Sequence, residues 1–428
     1  MKILDTLHPP LQVICDLLPV VPLPERYSVY TPERLFQIAS TISVSNQSGP
    51  VTITPEDDAA AETNAAKVVF RGTIPARRSR AYNSRNSANG GKGPADAQAM
   101  KAIVFTQYGP PEVLQLRELP IPVPGDDQVL VKICAASVNP LDWRIMRADP
   151  FFVRLFMGLF KPKSQFLGSD FAGQVDAVGK SVKLLKAGDH VYGAKGFAGG
   201  AFAEYVCAAE AEIVRMPAGV SFEDAAALPV AAITALQALR DKGRIRQRHK
   251  VLVDGASGGV GTFGIQIAKA FGAEVTAVCS TTKMDIARSL GADHVIDYTR
   301  EDFTRNGERY NLILAANAFH SVFDYRRALC EDGICVTAGG KPTFHGMFLD
   351  MFVAPFLSMS GRKKTCGIFA KMNKNDLNLL KGMLESGKIV PVIDRRYSLA
   401  EVPEAIRYLE QGHASGKVII TVNETCGI

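Results

Sequence analysis

The sequence of 428 residues predicts an α/β protein in which a mostly antiparallel β domain is interrupted by a parallel α/β domain. Short β-type runs separated by Pro and Gly clusters extend from residue 100 to about residue 225. A strand, a glycine-rich turn and a helix then open a region, residues 226–345, in which strands and helices alternate. Residues 346–424 are predicted to return to the β domain, which closes around the inserted one.

Residues 1–99 differ in composition from the predicted domains. They are rich in Pro, Ser, Thr, Asn and Ala and lack sustained periodicity, which is typical of a disordered segment. Seven basic and no acidic residues lie between Glu62 and Asp96, as in organelle transit peptides, although about 60 residues precede them. Three interpretations stay open: a presequence, an upstream extension of a chain that starts at Met100, or a disordered arm.

Composition narrows the class of protein and its compartment. The net charge is +6, and the basic residues are scattered rather than interleaved with aromatic ones, so we expect no nucleic-acid partner. Eight cysteines without a C-x-x-C pair predict reduced thiols and a cytoplasmic location. A chloroplast or mitochondrion is the alternative if residues 1–99 act as a presequence. No apolar run approaches the roughly 18 residues of a spanning helix.

The first part of the β domain, residues 100–225, is assigned from short strand-like runs with turn residues between them. The runs are 101–105, 128–133, 171–178, 190–193 and 201–207. After Pro229, which suits a first helical turn, residues 230–240 are predicted to form a helix that leads into the inserted domain.

The inserted domain begins with an apolar strand, 251–254, and the turn Gly255–Gly261. The turn has the order G-x-x-G-x-x-G, with Ser257 where the commoner dinucleotide fingerprint has its second glycine. Small residues allow backbone N–H groups and a helix N-terminus to meet a pyrophosphate. The predicted pyrophosphate-binding residues are Ser257, Gly258, Gly259, Val260 and Gly261.

The end of the next strand, 273–279, indicates which dinucleotide binds. Asp or Glu at this position would bind the ribose hydroxyls of NADH, but the chain has Ser280, Thr281, Thr282 and Lys283. Hydroxyls and an ammonium suit a 2′-phosphate, so the sequence favours NADPH. The alternative is a buried glycine-rich hairpin followed by a surface lysine. Helices 283–290 and 321–330 and strands 294–298, 310–316 and 333–338 complete the α/β pattern.

The order of these parts resembles the medium-chain dehydrogenase/reductase family, and particular motifs are similar to its quinone oxidoreductase branch. The resemblance runs from Met100 to about Val422 and implies a GroES-like β domain with an inserted Rossmann domain. The stretches that carry it are 137–144 (SVNPLDWR), 167–173 (LGSDFAG), 187–193 (AGDHVYG), 228–237 (LPVAAITALQ), 255–261, 290–293 (LGAD) and 412–417 (GHASGK).

The resemblance also implies that no metal takes part. Zinc-dependent members bind zinc through a Cys and through a His in a Gly-His-Glu element. The matching positions here are Asn139 and Gly168-Ser169-Asp170, and neither an amide nor a hydroxyl replaces a thiolate or an imidazole. Without a Lewis acid, conjugated acceptors such as quinones and enones are favoured, because hydrogen bonds can stabilise their delocalised oxyanion.

The resemblance places the element from Asn139 to Arg144 beside the nicotinamide. Arg144 is a candidate donor to the oxyanion, Asn139 is expected to orient substrate or ribose, and Asp142 is expected to hold Arg144 in place. The alternative is a surface ion pair of Asp142 with Arg144 and a turn cap at Asn139. Tyr192 is a possible proton donor, although a packed aromatic is the stronger interpretation.

Further cofactor residues are implied by the resemblance alone. Ser280, Lys283 and Tyr298 match positions around the 2′-phosphate, and Asn317, Gly339 and Gly340 match positions near the nicotinamide half. Lys417, with the less favoured His413, is expected to reach the cofactor from the C-terminal part.

Two stretches dense in Phe and Met, 151–161 and 347–356, are followed by basic residues. Ordinary packing, a pocket for a lipophilic quinone or enone and peripheral contact with an anionic membrane all stay open. The function expected is zinc-independent, NADPH-dependent reduction of a quinone or α,β-unsaturated carbonyl, by a homodimer. The alternatives are an enoyl-thioester reductase and a non-catalytic NADPH-binding scaffold of ζ-crystallin type.

Overall fold

The computed structural model describes residues 98–423, except residues 152, 318 and 340–361. The predictions for residues 1–97, for Gly340 and for the stretch 347–356 therefore lie outside the described residues. The strands are β1 (Ala99–Val104), β2 (Gln115–Pro120), β3 (Gln128–Val138), β4 (Asp170–Val178), β5 (His190–Ala194), β6 (Tyr205–Ala209), β7 (Ile213–Arg215), β8 (Lys250–Asp254), β9 (Glu274–Cys279), β10 (His294–Asp297), β11 (Tyr310–Ala315), β12 (Leu329–Thr337), β13 (Lys364–Gly367), β14 (Ile393–Ser398) and β15 (Lys417–Thr421).

The helices of the described part are α1 (Pro140–Arg147), α2 (Val153–Met157), α3 (Phe222–Ala227), α4 (Pro229–Gln237), α5 (Gly259–Ala270), α6 (Met284–Ser289), α7 (Val322–Ala328), α8 (Lys374–Glu385) and α9 (Val402–Glu410). None of them is both long and apolar enough to cross a membrane.

The β lobe is built on a seven-stranded sheet in the order β14-β15-β3-β4-β5-β7, with β6 also pairing with β3. The C-terminal strand β15 runs antiparallel to β3, and its Val418 lies opposite Val138. Strand β3 shows little alternation between buried and exposed side chains, because both of its faces are covered. Nearly all of its side chains are buried. This register brings the end of the chain next to the point where β3 leads into α1.

The inserted lobe is a parallel sheet in the order β10-β9-β8-β11-β12-β13. Counted from β8, this is the 3-2-1-4-5-6 order of a Rossmann domain, and the strand order reverses between β8 and β11. The predicted α/β fold, a β domain with an inserted Rossmann-type domain, is confirmed. The reversal point is where such sheets bind their ligands.

One part of the predicted organisation differs from the structure. Residues from 346 onward were assigned to the β domain, but β13 pairs with β12 in the parallel sheet, and α8 packs against α4. The chain returns to the β sheet only at β14. Four residues with one buried side chain give too short a periodic pattern to be recognised as an edge strand of the parallel sheet. The other domain boundaries stay predictions.

The two lobes contact each other through buried hydrogen bonds. Tyr192 in β5 donates its hydroxyl proton to the carbonyl oxygen of Leu377 in α8 at 2.9 Å. Helix α3 packs on β3 and β4 of the β lobe, and α4 follows it directly into the inserted lobe. The prediction of reduced thiols throughout is wrong for Cys134, which is disulfide-bonded, because sequence spacing does not reveal which cysteines meet in space.

Candidate active site

The glycine turn lies at the reversal point of the parallel sheet, directly after β8. Gly255 has φ +78°, a conformation that glycine adopts without strain. A Cβ on Gly261 would lie 2.2 Å from the carbonyl oxygen of Gly255, so α5 can approach the turn only because this residue is glycine. At Gly258 the nearest atom to an added Cβ would be 3.6 Å away. The turn therefore leaves space above Gly258, where backbone N–H groups can receive an anion.

The ends of two further strands lie beside this turn. Asn317 follows β11, and a Cβ on Gly255 would come within 2.7 Å of the Asn317 Cβ. Gly339 follows β12, and a Cβ there would lie 2.7 Å from the carbonyl oxygen of Ala316. Asn317 and Gly339 thus line the edge of the sheet at which the sequence placed the nicotinamide half. Gly340 lies outside the described residues.

The residues expected around a 2′-phosphate follow β9 and β10. Ser280 is half-buried and Tyr298 is 61% exposed. The Lys283 ammonium donates to the backbone carbonyls of His413 at 2.6 Å and Ala414 at 3.3 Å, in the loop that precedes β15. Burial lowers the pKa of Lys283, and the nearby Asp394 carboxylate opposes that effect. Lys283 therefore joins the inserted lobe to the β lobe beside the turn.

An acidic residue that the sequence reasoning missed lies at the same edge. Asp297 ends β10, and its carboxylate accepts hydrogen bonds from the hydroxyls of Thr281 and Thr299. The bond from Thr281 is the largest cause that lowers its pKa, so Asp297 is ionised. Its position, as a charged residue at the end of the predicted strand 294–298, could have identified Asp297 from the sequence.

The predicted catalytic element forms the junction of β3 and α1. Asn139 has an extended backbone, Pro140 occupies the first helical position, and the Asp142 carboxylate reaches back to accept from the Asn139 N–H at 2.7 Å. The other oxygen of Asp142 accepts from the Gly168 N–H at 3.1 Å. Asp142 thereby fixes the first turn of α1 to the segment that precedes β4.

The structure differs from the predicted role of Asp142 as the residue that holds Arg144. The Asp142 carboxylate accepts from the N–H groups of Asn139 and Gly168, and the Arg144 guanidinium lies 4.7 Å from the centroid of the Trp143 ring. Residues two positions apart on a helix point about 200° apart, so an Asp that caps the first turn faces away from Arg144. Burial lowers the pKa of Arg144, and Asp149 opposes that effect.

The Asn139 carboxamide lies between two buried charges. Its Nδ2 donates to the Asp170 carboxylate at 2.9 Å, and its Oδ1 accepts from the Lys417 ammonium at 2.7 Å. Asp170 also accepts from the Ser137 hydroxyl at 3.1 Å. These four residues together with Asp142, here called the polar cluster, are each at most 3% exposed.

Charges within the polar cluster balance in part. Burial raises the pKa of Asp170, which the ammonium of Lys417 counteracts from 3.5 Å. Burial lowers the pKa of Lys417, which Asp170 and Asp142 counteract. A Cβ on Gly259 would lie 2.9 Å from the Lys417 Cδ, so the lysine stem passes directly under the glycine turn.

Tyr192 does not reach this site as a proton donor. Its ring is fully buried and its hydroxyl is bonded to the Leu377 carbonyl. Burial raises the pKa of Tyr192 above its usual value. Tyr192 is therefore a packed aromatic residue, the stronger of the two interpretations of the sequence.

Comparison with known proteins gives matches in both lobes. A family described as alcohol dehydrogenase GroES-like domain matches residues 125–218, and one described as zinc-binding dehydrogenase matches residues 290–420. The chain is 32% identical over 338 residues to the chloroplast envelope quinone oxidoreductase homolog of Arabidopsis thaliana, covering 75% of this chain and 98% of that one. It is 37% identical to the 2-methylene-furan-3-one reductase of Solanum lycopersicum, covering 75% and 79%.

A solved structure gives the same assignment. The quinone oxidoreductase from Coxiella burnetii matches with a TM-score of 0.67 and 32% identity, covering 76% of this chain and all of that one. The chain belongs to the medium-chain dehydrogenase/reductase family. Members of this family are NAD(P)H-dependent oxidoreductases, so the predicted enzyme class is confirmed.

The polar cluster of this dehydrogenase/reductase does not fit zinc, the metal that one family description implies. The Asn139 oxygen is bonded to an ammonium, and the buried Ser169 hydroxyl is a poor zinc ligand that has no hydrogen-bond partner among the described residues. No group of three or more His, Cys, Asp or Glu side chains in the described part of the chain could hold a metal ion. The Lys417 ammonium, 2.7 Å from Asn139 Oδ1, would also occupy the place of a metal ion bound to that oxygen.

Proposed function

We propose that the protein is an NADPH-dependent reductase that delivers hydride to a quinone or an α,β-unsaturated carbonyl without a metal ion. One observation carries the proposal: the polar cluster meets the glycine turn, with Lys417 passing under Gly259 to reach Asn139. The turn predicted to bind the dinucleotide and the buried hydrogen-bonding groups are thus adjacent. Relatives whose names include quinone oxidoreductase, 2-methylene-furan-3-one reductase and NADPH-dependent alkenal/one oxidoreductase support the acceptor class.

The bound nicotinamide would supply the hydride, and the chain would supply the electrostatics. Reduction of a conjugated acceptor places negative charge on an enolate or hydroquinone oxygen, which hydrogen-bond donors can stabilise. We assign this role to the partly buried cation of Arg144. Asn139 keeps a second lone pair on Oδ1 for a ribose or substrate hydroxyl. Asp142 contributes by fixing the start of α1 through hydrogen bonds, and not by an ion pair with Arg144.

Cofactor binding is assigned to the predicted residues on the basis of their positions. Ser257, Gly258, Gly259, Val260 and Gly261 would receive the pyrophosphate, and Asn317 with Gly339 the nicotinamide half. Ser280, Lys283 and Tyr298 would surround a 2′-phosphate, which favours NADPH over NADH. The charge of Asp297 does not argue against this preference, because two threonine hydroxyls and Arg300, 3.6 Å away, already engage it.

An exposed apolar surface supports a lipophilic acceptor. The side chains of Phe151, Leu155, Phe156, Leu159 and Phe160 are 48 to 89% exposed around α2. Arg154 of α2 and two lysines that follow it, at positions 161 and 163, place positive charge beside this surface. We propose that it guides a lipophilic quinone or enone to the cleft and contacts anionic membranes peripherally. Assembly as a homodimer stays part of the proposal.

Location is proposed from the relatives. Those named chloroplastic, from Spinacia oleracea, and mitochondrial, from Danio rerio, favour an organelle over the cytoplasm. Sequencing the N-terminus of the mature protein by mass spectrometry tests this, because removal of a presequence would leave a start downstream of Met1 that is not an initiator methionine, whereas a start at Met100 would indicate the upstream extension.

An acceptor screen tests the function. NADPH oxidation is followed with a naphthoquinone, a 2-alkenal and an enoyl thioester, at equal concentrations. We expect turnover with the first two to exceed turnover with the thioester. The reverse order would indicate an enoyl-thioester reductase, and tight NADPH binding without turnover of any acceptor would indicate a scaffold.

A further inference from the structure

Lys417 and Asn139 meet because of the register of the β sheet. Val418 pairs with Val138, so Lys417 at the start of β15 lies opposite Asn139, where β3 gives way to α1. The two residues are 278 positions apart in the chain, yet Nζ and Oδ1 are 2.7 Å apart. The pairing of β15 with β3 thus brings these two side chains together.

The Lys417 ammonium faces three acceptors and has three N–H donors. The acceptors are Asn139 Oδ1 at 2.7 Å, the Val138 carbonyl oxygen at 3.4 Å and Asp170 Oδ2 at 3.5 Å. Lys417 is 3% exposed. These contacts hold the ammonium at the β3–α1 junction, and the cofactor contact expected from the sequence stays a prediction.

This arrangement decides how the Asn139 amide points. The oxygen faces the Lys417 cation, and the NH2 group faces the Asp170 carboxylate at 2.9 Å. A flipped amide would place NH2 against an ammonium and oxygen against a carboxylate, two repulsive contacts in a buried site. The charges on both sides therefore hold one orientation.

We propose that Lys417 is a positioning residue for hydride transfer, which holds the Asn139 carboxamide in the orientation that the reaction requires. The inference rests on the proposed function, in which Asn139 contacts ribose or substrate. Lys417 acts through Asn139, and its stem under Gly259 links that orientation to the glycine turn.

The experiment is a double-mutant cycle with Lys417→Met and Asn139→Ala, measured as kcat with a naphthoquinone and as Kd for NADPH by fluorescence titration. We expect Lys417→Met to lower kcat at least about tenfold and to change the Kd less than about threefold. The double variant should be no slower than Asn139→Ala, because Lys417 has nothing left to position. Lys417→Arg should recover part of kcat. The control is Lys381→Met on the surface of α8, where the lysine lies 3.8 Å from Glu385.

Several outcomes would overturn the inference. The first is an unchanged kcat in Lys417→Met. The second is a double variant in which the two single losses of kcat multiply. The third is a Lys417→Met variant that loses NADPH affinity but not kcat. If Lys417→Met fails to fold because Asp170 loses its counterion, the neutral pair Asp170→Asn/Lys417→Met replaces it. Wild-type kcat in that pair would show that charge balance alone matters, and a persistent loss supports positioning. An inactive wild type would instead reject the proposed function itself.

Discussion

The carboxylate of Asp142 accepts a hydrogen bond from the backbone N–H of Gly168 at 3.1 Å and so ties helix α1 to the segment before β4. Its other oxygen accepts from the N–H of Asn139. Burial raises the pKa of Asp142 to about 7, against the opposing effect of these N–H donors. The carboxyl that anchors the start of α1 therefore titrates near neutral pH.

This raised pKa predicts a pH-dependent stability. An Asp in the unfolded chain titrates at about pH 3.9. Between about pH 4 and 7 the folded state therefore binds more protons than the unfolded state, and the free energy of unfolding falls as pH rises. Asp142→Asn removes this titration. In urea unfolding, the stability of the wild type relative to Asp142→Asn should fall from pH 5 to pH 8. A constant or growing advantage of the wild type would contradict the pKa.

The glycine turn offers a matched pair of substitutions. Gly258→Ala has room for its methyl group and should leave the melting temperature of the cofactor-free protein unchanged, while it weakens NADPH binding at least about tenfold by blocking the pyrophosphate. Gly261→Ala should lower the melting temperature, because its Cβ would lie 2.2 Å from the Gly255 oxygen. Calorimetry and fluorescence titration check both. Normal NADPH affinity in Gly258→Ala would place the pyrophosphate elsewhere.

Lys283→Glu tests the 2′-phosphate site. The substitution replaces a cation with an anion, so KM for NADPH should rise at least about tenfold while KM for NADH changes little. Steady-state kinetics with both cofactors measure the ratio. Lys180→Glu, at an exposed turn after β4, is the control for added negative charge. If the cofactor preference of Lys283→Glu is unchanged, Lys283 has no role at the 2′-phosphate, and its hydrogen bond to the His413 carbonyl oxygen is structural.

Arg144→Ala tests the proposed oxyanion donor. Removal of such a donor should lower kcat by about a hundredfold, while the Kd for NADPH stays within about threefold of the wild type. Arg147→Ala is the control on the same helix, since Arg147 pairs with Glu410 in α9 and not with the cleft. Single-turnover kinetics separate hydride transfer from binding. Equal turnover of Arg144→Ala and Arg147→Ala would make Arg144 structural.

Local features of the sequence predicted the fold and the glycine turn well, whereas the cofactor role of that turn stays a prediction. A strand, closely spaced glycines and a helix are contiguous, and the close approach at Gly261 depends on neighbouring residues only. The role of Asp142 was also within reach, because an Asn followed three positions later by Asp is a capping pattern that directs the carboxylate toward Asn139 rather than Arg144.

The polar cluster could not be derived from local pattern in this way. Its contact between Lys417 and Asn139 depends on which strands pair and in which register, and periodicity within a single strand carries no information about its partner. The resemblance identified Lys417 as a candidate site residue, but as one that contacts the cofactor. Strand β13 was missed for a related reason, since only its pairing with β12 identifies it.

In the proposed function, hydride reaches a conjugated acceptor at a site organised by hydrogen bonds and the buried Lys417 instead of a metal. The most direct test is the rate of NADPH oxidation with a naphthoquinone by chelator-treated protein, with its metal content determined on the same sample. We expect an undiminished rate at substoichiometric metal. Loss of turnover on chelation, restored by one equivalent of zinc, would contradict it.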